Sequence, residues 1–274
     1  MQTTLALNAT LGLATAGLYA VVAWIIARRS TTSEDAAKAR RSFVLWWAAL
    51  AVTSGLGSLG QFLAGIGVVA VSVHTTLAYL TLPLILLALA GLLQYLIYIH
   101  TGSMRWHRLI LSAHLALAAS FFALMTWLRP TAVKRGDWSV TIDYAREAPA
   151  WVAPLAIASI LVPVLVASFA YFTLAFRTPD RFARFRILTV SGAFLLWFGS
   201  SGVAAILRWN TWYWWPLAAR GIGLVATLLI LFAYHPPRRI EERLRSQEAK
   251  ELTYGPGGPG GWRLSYLIRL ASAF

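Results

Sequence analysis

The chain has 274 residues, 58% hydrophobic and 12% charged, with a mean hydropathy of +0.64 and a formal net charge of +14. Soluble domains carry about 25% charge, so this composition excludes a surface solvated by water alone. The chain contains no cysteine, which excludes disulfides, Cys-ligated zinc, iron–sulfur clusters and thiol catalysis.

A bilayer-spanning helix needs about 20 apolar residues. In chain order, runs of that kind fall at 4–26, 43–70, 76–99, 108–128, 150–176, 187–207 and 214–234. They predict an all-α polytopic membrane protein, a seven-transmembrane-helix bundle. The first run has no basic residue before it, so it reads as a first span rather than a cleaved signal peptide. The second and fifth are long enough to tilt or to protrude. None of the seven contains a carboxylate, although the chain has ten acidic residues. Of its 24 basic residues only Arg108 and Arg220 fall inside a run. No repeat is visible along the chain.

The connections set the orientation. Arg28, Arg29, Lys38, Arg40 and Arg41 follow the first run, and Arg105 follows the third. Arg177, Arg181, Arg184 and Arg186 follow the fifth, and the residues from 235 onward are again rich in Arg. The alternate connections hold Arg129, Lys134, Arg135 and Arg146, offset by Asp137, Asp143 and Glu147, and Arg208, fewer than the first set, so the positive-inside rule places the N-terminus outside and the C-terminus in the cytoplasm of a cell membrane. The net charge then reads as topology against an anionic leaflet, and nucleic acid is not expected as a partner.

The 129–149 connection is the only sizeable outer one. Trp138, Val140, Ile142 and Tyr144 alternate in it with Ser139, Thr141 and Asp143, a period of two that predicts a short strand. Such a segment either lies on the bundle mouth or forms a lid over a cavity. Trp212, Trp214 and Trp215 crowd the next outer connection, as interfacial anchors do. Trp46, Trp47 and Trp106 are expected to mark the inner boundary. Past Pro236 and Pro237 a charged helix is expected over 238–252, then a Gly/Pro linker from Gly255. The closing segment, with Trp262, Leu267 and Phe274, has the character of a lipid-surface or partner-docking end.

Polar groups inside apolar spans point to function, because each needs a partner away from water. Ser54, Gly57, Ser58, Gln61, Ala64 and Gly65 form a stripe on the second span. Thr76, Tyr79, Pro83, Ala90, Gln94 and Tyr98 do so on the third, and Arg220, Gly223, Thr227 and Tyr234 on the seventh. Close helix packing accounts for such stripes; a ligand cavity is the sharper alternative, with Arg220, Gln61, Tyr79, Gln94 and Thr227 as candidate ligand-binding residues. Arg220 stands out. No carboxylate exists at its depth, so its guanidinium must use carbonyls, Gln or Tyr groups, snorkel outward, or bind an anion.

Other chemistries are disfavoured by what is missing. A retinal Schiff base needs a buried lysine, and Lys38, Lys134 and Lys250 all lie in connections or the tail. A pump places carboxylates in its pathway. Haem held by two histidines needs depth-matched imidazoles; His114 lies about 10 Å deeper than His107 at helical rise and has no evident partner. No cofactor, metal site or catalytic group is therefore expected.

Two stretches carry a resemblance. Thr81-Leu-Pro-Leu, running to Tyr98-Ile-His-Thr-Gly102, resembles the third span of the seven-helix sensor region of bacterial histidine kinases. Arg220-Gly-Ile-Gly, running to Ala233-Tyr-His-Pro-Pro237, resembles the last span of related stand-alone proteins. Together they cover about a seventh of the chain. The resemblance implies a sensor or receptor-like module that binds a small or lipidic ligand. With no kinase, cyclase or PAS domain after the last span, output would pass through a protein partner at the cytoplasmic tail. Two alternatives stand beside it: a non-catalytic subunit of a respiratory or photosynthetic complex, and a lipid-handling enzyme or transporter.

Overall fold

The computed structural model describes residues 3–31, 33–198 and 215–243. Seven long helices run through them: α1 (Thr3–Ala27), α2 (Glu34–Gly65), α3 (Val71–Thr101), α4 (His107–Leu128), α5 (Val152–Arg177), α6 (Arg181–Phe198) and α7 (Trp215–Tyr234). Between α4 and α5 lies an antiparallel hairpin, β1 (Pro130–Arg135) and β2 (Val140–Tyr144). The alternation around Val140 thus marks a real strand; its partner β1 carries no comparable pattern. Helices α1, α2, α3 and α4, and the Leu217–Tyr234 part of α7, are each long and apolar enough to cross a membrane.

The helix ends follow local chemistry. Ser33 caps α2 by accepting from the Ala36 N–H, and Glu34 and Asp35 stand in its first turn, where the helix dipole favours acids. Lys38 reaches back to Glu34 at 2.7 Å, and that hydrogen bond holds the Glu34 carboxyl below its ordinary range. This capped, charged turn carries α2 nine residues ahead of the apolar run expected from 43. At its other end α2 stops at Gly65. Residues 66–70, expected within the span, form the connection, with Gly67 at φ +96°. Gly102, at φ +69°, closes α3 by donating to the Tyr98 carbonyl. Asp180 Oδ1 caps α6 by accepting from the Phe182 and Ala183 N–H groups.

Helix α1 packs on α2 and α7, α2 on α3, α3 on α5, α5 on α6, and α6 on α7. These six close a ring, and α4 stands outside it against α3. Accordingly only Ala118, Phe121 and Leu128 of α4 are buried. Phe169 and Phe176 of α5 and Leu109 of α4 are more than 60% exposed, an apolar exterior suited to lipid.

Away from the hairpin, the ring is filled by aromatic side chains. Phe43 stacks on Tyr95 at 4.0 Å, and Trp46 lies 6.1 Å from each of Trp47, Phe194 and Trp197. Trp46 and Trp47 are therefore core residues at 1% and 2% exposure, not boundary anchors. Trp106, 45% exposed, stays at the surface. Contact between α2 and α3 depends on Gly91. A Cβ there would run into the Ser42 carbonyl oxygen and stand 3.3 Å from the Trp46 amide nitrogen.

The hairpin lies over the opposite end of the ring. Asn8 of α1 donates to the Trp138 carbonyl at 2.6 Å, and Arg135 donates to the Ala64 carbonyl at the end of α2. Arg146 donates to the Trp127 carbonyl of α4, and Lys134 pairs with Asp143 across the strands at 2.6 Å. With anchors on three helices, the hairpin is part of the bundle rather than a loose loop.

Candidate functional site

The polar stripe on α2 is where α1, α2 and α7 meet. Ser54 Oγ donates to the Gly12 carbonyl of α1 at 3.0 Å, and Ser58 Oγ donates to the Ser54 carbonyl at 2.7 Å. Arg220 Nη1, from α7, donates to Ser58 Oγ at 2.9 Å. Gly12 makes this possible: a Cβ there would overlap the Arg220 guanidinium and the Ser58 hydroxyl. The partner of Arg220 is thus a serine hydroxyl, a group outside the carbonyl, Gln and Tyr choices the sequence suggested.

From this junction Arg220 faces a cavity of about 430 Å³ beneath the hairpin. Sites for small ligands occupy about 300–1,000 Å³. Helix α2 contributes Gly57, Gly60 and Gln61 to its wall; α3 contributes His74 and Thr81 with Leu82 and Ile85; α4 contributes Met125. Val140 and Ile142 of β2 roof it. None of the described residues that line it is acidic.

Three polar groups in the wall have capacity to spare. Arg220 offers five N–H donors in a fixed planar fork, and among the described residues only Ser58 takes one. Gln61 Oε1 is buried with no partner among the described residues. His74, 5% exposed, has Nε2 at 3.0 Å from the Val68 carbonyl. A carbonyl can only accept, so Nε2 carries the proton and Nδ1 keeps its own hydrogen-bonding capacity. Thr81 instead donates to its own helix at Leu77.

Of the residues singled out in the sequence, the cavity brings together Arg220 and Gln61. Tyr79 packs its ring on Phe122 of α4, with centroids 4.8 Å apart. Thr227 donates to the Gly223 carbonyl on its own helix. It borders a void of about 10 Å³ among the aromatic side chains, room for about one water. Gln94 lies in the aromatic half: its Oε1 accepts from Ser42 at 2.7 Å and its Nε2 donates to the His107 carbonyl. It clamps α2, α3 and the start of α4. Trp212, Trp214, Trp262, Leu267 and Phe274 lie outside the described residues, as does the side chain of Trp215. His74 and Thr81 were missed as wall residues. His74 gave a faint signal as the histidine at the hairpin end of α3; Thr81 opens the stretch that carries the resemblance, but nothing in its spacing marked it as a wall residue.

The clamp is open to test. Gln94→Leu should lower stability by about 1 kcal/mol, the range of interhelical hydrogen bonds in lipid, read as a lower unfolding midpoint in mild detergent. Ser42→Ala added to it should cost little more, because the stranded hydroxyl is then gone.

No protein-family model matches the chain, and no curated protein matches it either. Fold and site together define an α-helical membrane protein with an arginine-bearing cavity at one end of its helix ring.

Proposed function

We propose that the protein is a receptor-like module of the cell membrane, a seven-span bundle with its N-terminus outside, that binds a small or lipidic ligand beneath the outer hairpin. The observation that carries this reading is the position of Arg220. One guanidinium faces the cavity, bonds α2 and rests on the Gly12 backbone of α1 while belonging to α7. A ligand that draws on its free donors competes with the Ser58 bond, and so favours one arrangement of three helices over another. Such differential contact is what a ligand needs to shift a conformational equilibrium. Helix α7 carries that shift away from the hairpin to Ala233, whose carbonyl accepts from Arg186 of α6 at 2.8 Å. The chain then passes Pro236 and Pro237 into a helical turn at 238–243. Output passes through a protein partner on that cytoplasmic side. The resemblance to histidine-kinase sensor regions supports the same reading.

A second reading, a non-catalytic subunit of a larger membrane complex, draws on α4, whose apolar faces lie largely uncovered outside the ring. One experiment separates the two. The full chain is purified from its native membrane in mild detergent, analysed by native mass spectrometry, and followed by hydrogen exchange with and without a lipid extract. A receptor runs without a fixed partner set, retains a small or lipidic molecule, and changes exchange at 234–243 when the extract is added. A fixed set of partners, with exchange indifferent to the extract, overturns the receptor reading.

A further inference from the structure

We infer that the ligand of this cavity is an amphiphile with an anionic headgroup, a carboxylate or phosphate carried on an apolar chain, and that Arg220 is the residue that binds the headgroup. The inference rests on the receptor reading only for the cavity being a binding site; it adds the chemical class of what fills it.

Arginine keeps its charge under all physiological conditions and presents a fork that matches carboxylate and phosphate oxygens. An ionisable group at membrane depth is costly unless it is paired. Among the described residues no acid lines the cavity, and a neutral serine is the partner that Arg220 has. The site therefore holds one uncompensated positive charge. An anion restores neutrality where a neutral or cationic ligand does not. Gln61 brings its side-chain amide N–H donors to the same wall, whereas its Oε1 and the Nδ1 of His74 are acceptors, so the headgroup oxygens fall to the remaining Arg220 donors and the Gln61 amide nitrogen.

The shape of the cavity calls for an apolar chain behind the headgroup. A free inorganic anion needs only a polar pocket. Here the wall continues along α3 from His74 to Ile85, about 16 Å at helical rise, and Leu82 and Ile85 make the far end of that continuation apolar. Polar groups gather toward the hairpin, and the hydrocarbon-lined part runs deeper into the bundle.

The test uses the full chain in nanodiscs of neutral phosphatidylcholine. Binding of dodecanoate, dodecyl phosphate, dodecanol and inorganic phosphate is measured by equilibrium dialysis, each below its self-association limit. Dodecanoate and dodecyl phosphate should bind about tenfold or more tightly than dodecanol, as expected for a charge-assisted contact. Both should also bind more tightly than inorganic phosphate. Arg220→Gln should bring the two anionic probes down to the level of dodecanol, and Gln61→Leu should weaken them by a smaller factor. The wild-type series decides the matter even where a variant does not fold. Dodecanol binding as well as dodecanoate would overturn the headgroup assignment and leave the receptor reading standing. Inorganic phosphate binding as well as dodecyl phosphate would overturn the amphiphile in favour of a free anion. Absence of saturable binding by every probe overturns the inference itself, while the exchange response to native lipid extract still judges the receptor reading separately.

Discussion

Trp46→Ala is expected to destabilise the bundle by about 3–5 kcal/mol, the cost of truncating a buried tryptophan. Trp46 is 1% exposed and touches three aromatic neighbours from α2 and α6. Its indole Nε1 has no hydrogen-bond partner among the described residues, so the loss is one of packing. Hydrocarbon offers no hydrophobic drive for helices to associate, and dispersion contacts carry much of what holds the ring. A void left at Trp46 would join the small one already bordering it. Thermal unfolding in mild detergent checks this, with Trp46→Phe expected to fall between the alanine variant and wild type. An alanine variant as stable as wild type would show that this cluster is not the core.

Gly91→Leu is expected to be about as damaging for the opposite reason. The first added carbon at Gly91 meets backbone of α2, the Ser42 carbonyl and the Trp46 amide, and neither can move without shifting that helix. Overpacking typically costs about 1–3 kcal/mol and more where backbone must shift. Gly91→Ala should therefore already lower the unfolding midpoint, and Gly91→Leu should lower it further. Gly17 on α1 is the control: an added Cβ there meets nothing within 4 Å. Gly17→Ala should be neutral or gain up to about 1 kcal/mol from helix propensity. Equal effects at Gly17 and Gly91 would mean that helix propensity, not the α2–α3 approach, governs both.

The sequence was legible where a local rule applies. Apolar length marked the helices, because a span must satisfy its own backbone over a fixed thickness of hydrocarbon. It misplaced the ends of α2, because hydropathy tracks contact with lipid whereas helix formation tracks capping. Ser33 and the Glu34–Lys38 pair extend the helix through charged sequence. The strand at Val140 showed through its period of two, and Arg220 through the absence of any acid to pair with it.

What remained hidden depends on which faces meet. Gln61 and Gln94 look alike in sequence, each a lone amide in an apolar span. One borders a cavity with its oxygen unpartnered; the other has both ends of its amide satisfied across three helices. Trp46 and Trp47 read as boundary anchors until α6 is placed beside them. The composition and spacing of the chain determined a helical membrane protein, the approximate extent of its apolar helices and the arginine set within one of them, since these follow from the solvent each residue must tolerate. The tertiary structure alone decided that Gly12 makes room for that charge, that Ser58 receives it and that Val140 and Ile142 close over it. Those facts need α1, α2, α7 and the hairpin to be side by side, and no spacing along one helix encodes which other helix will be its neighbour.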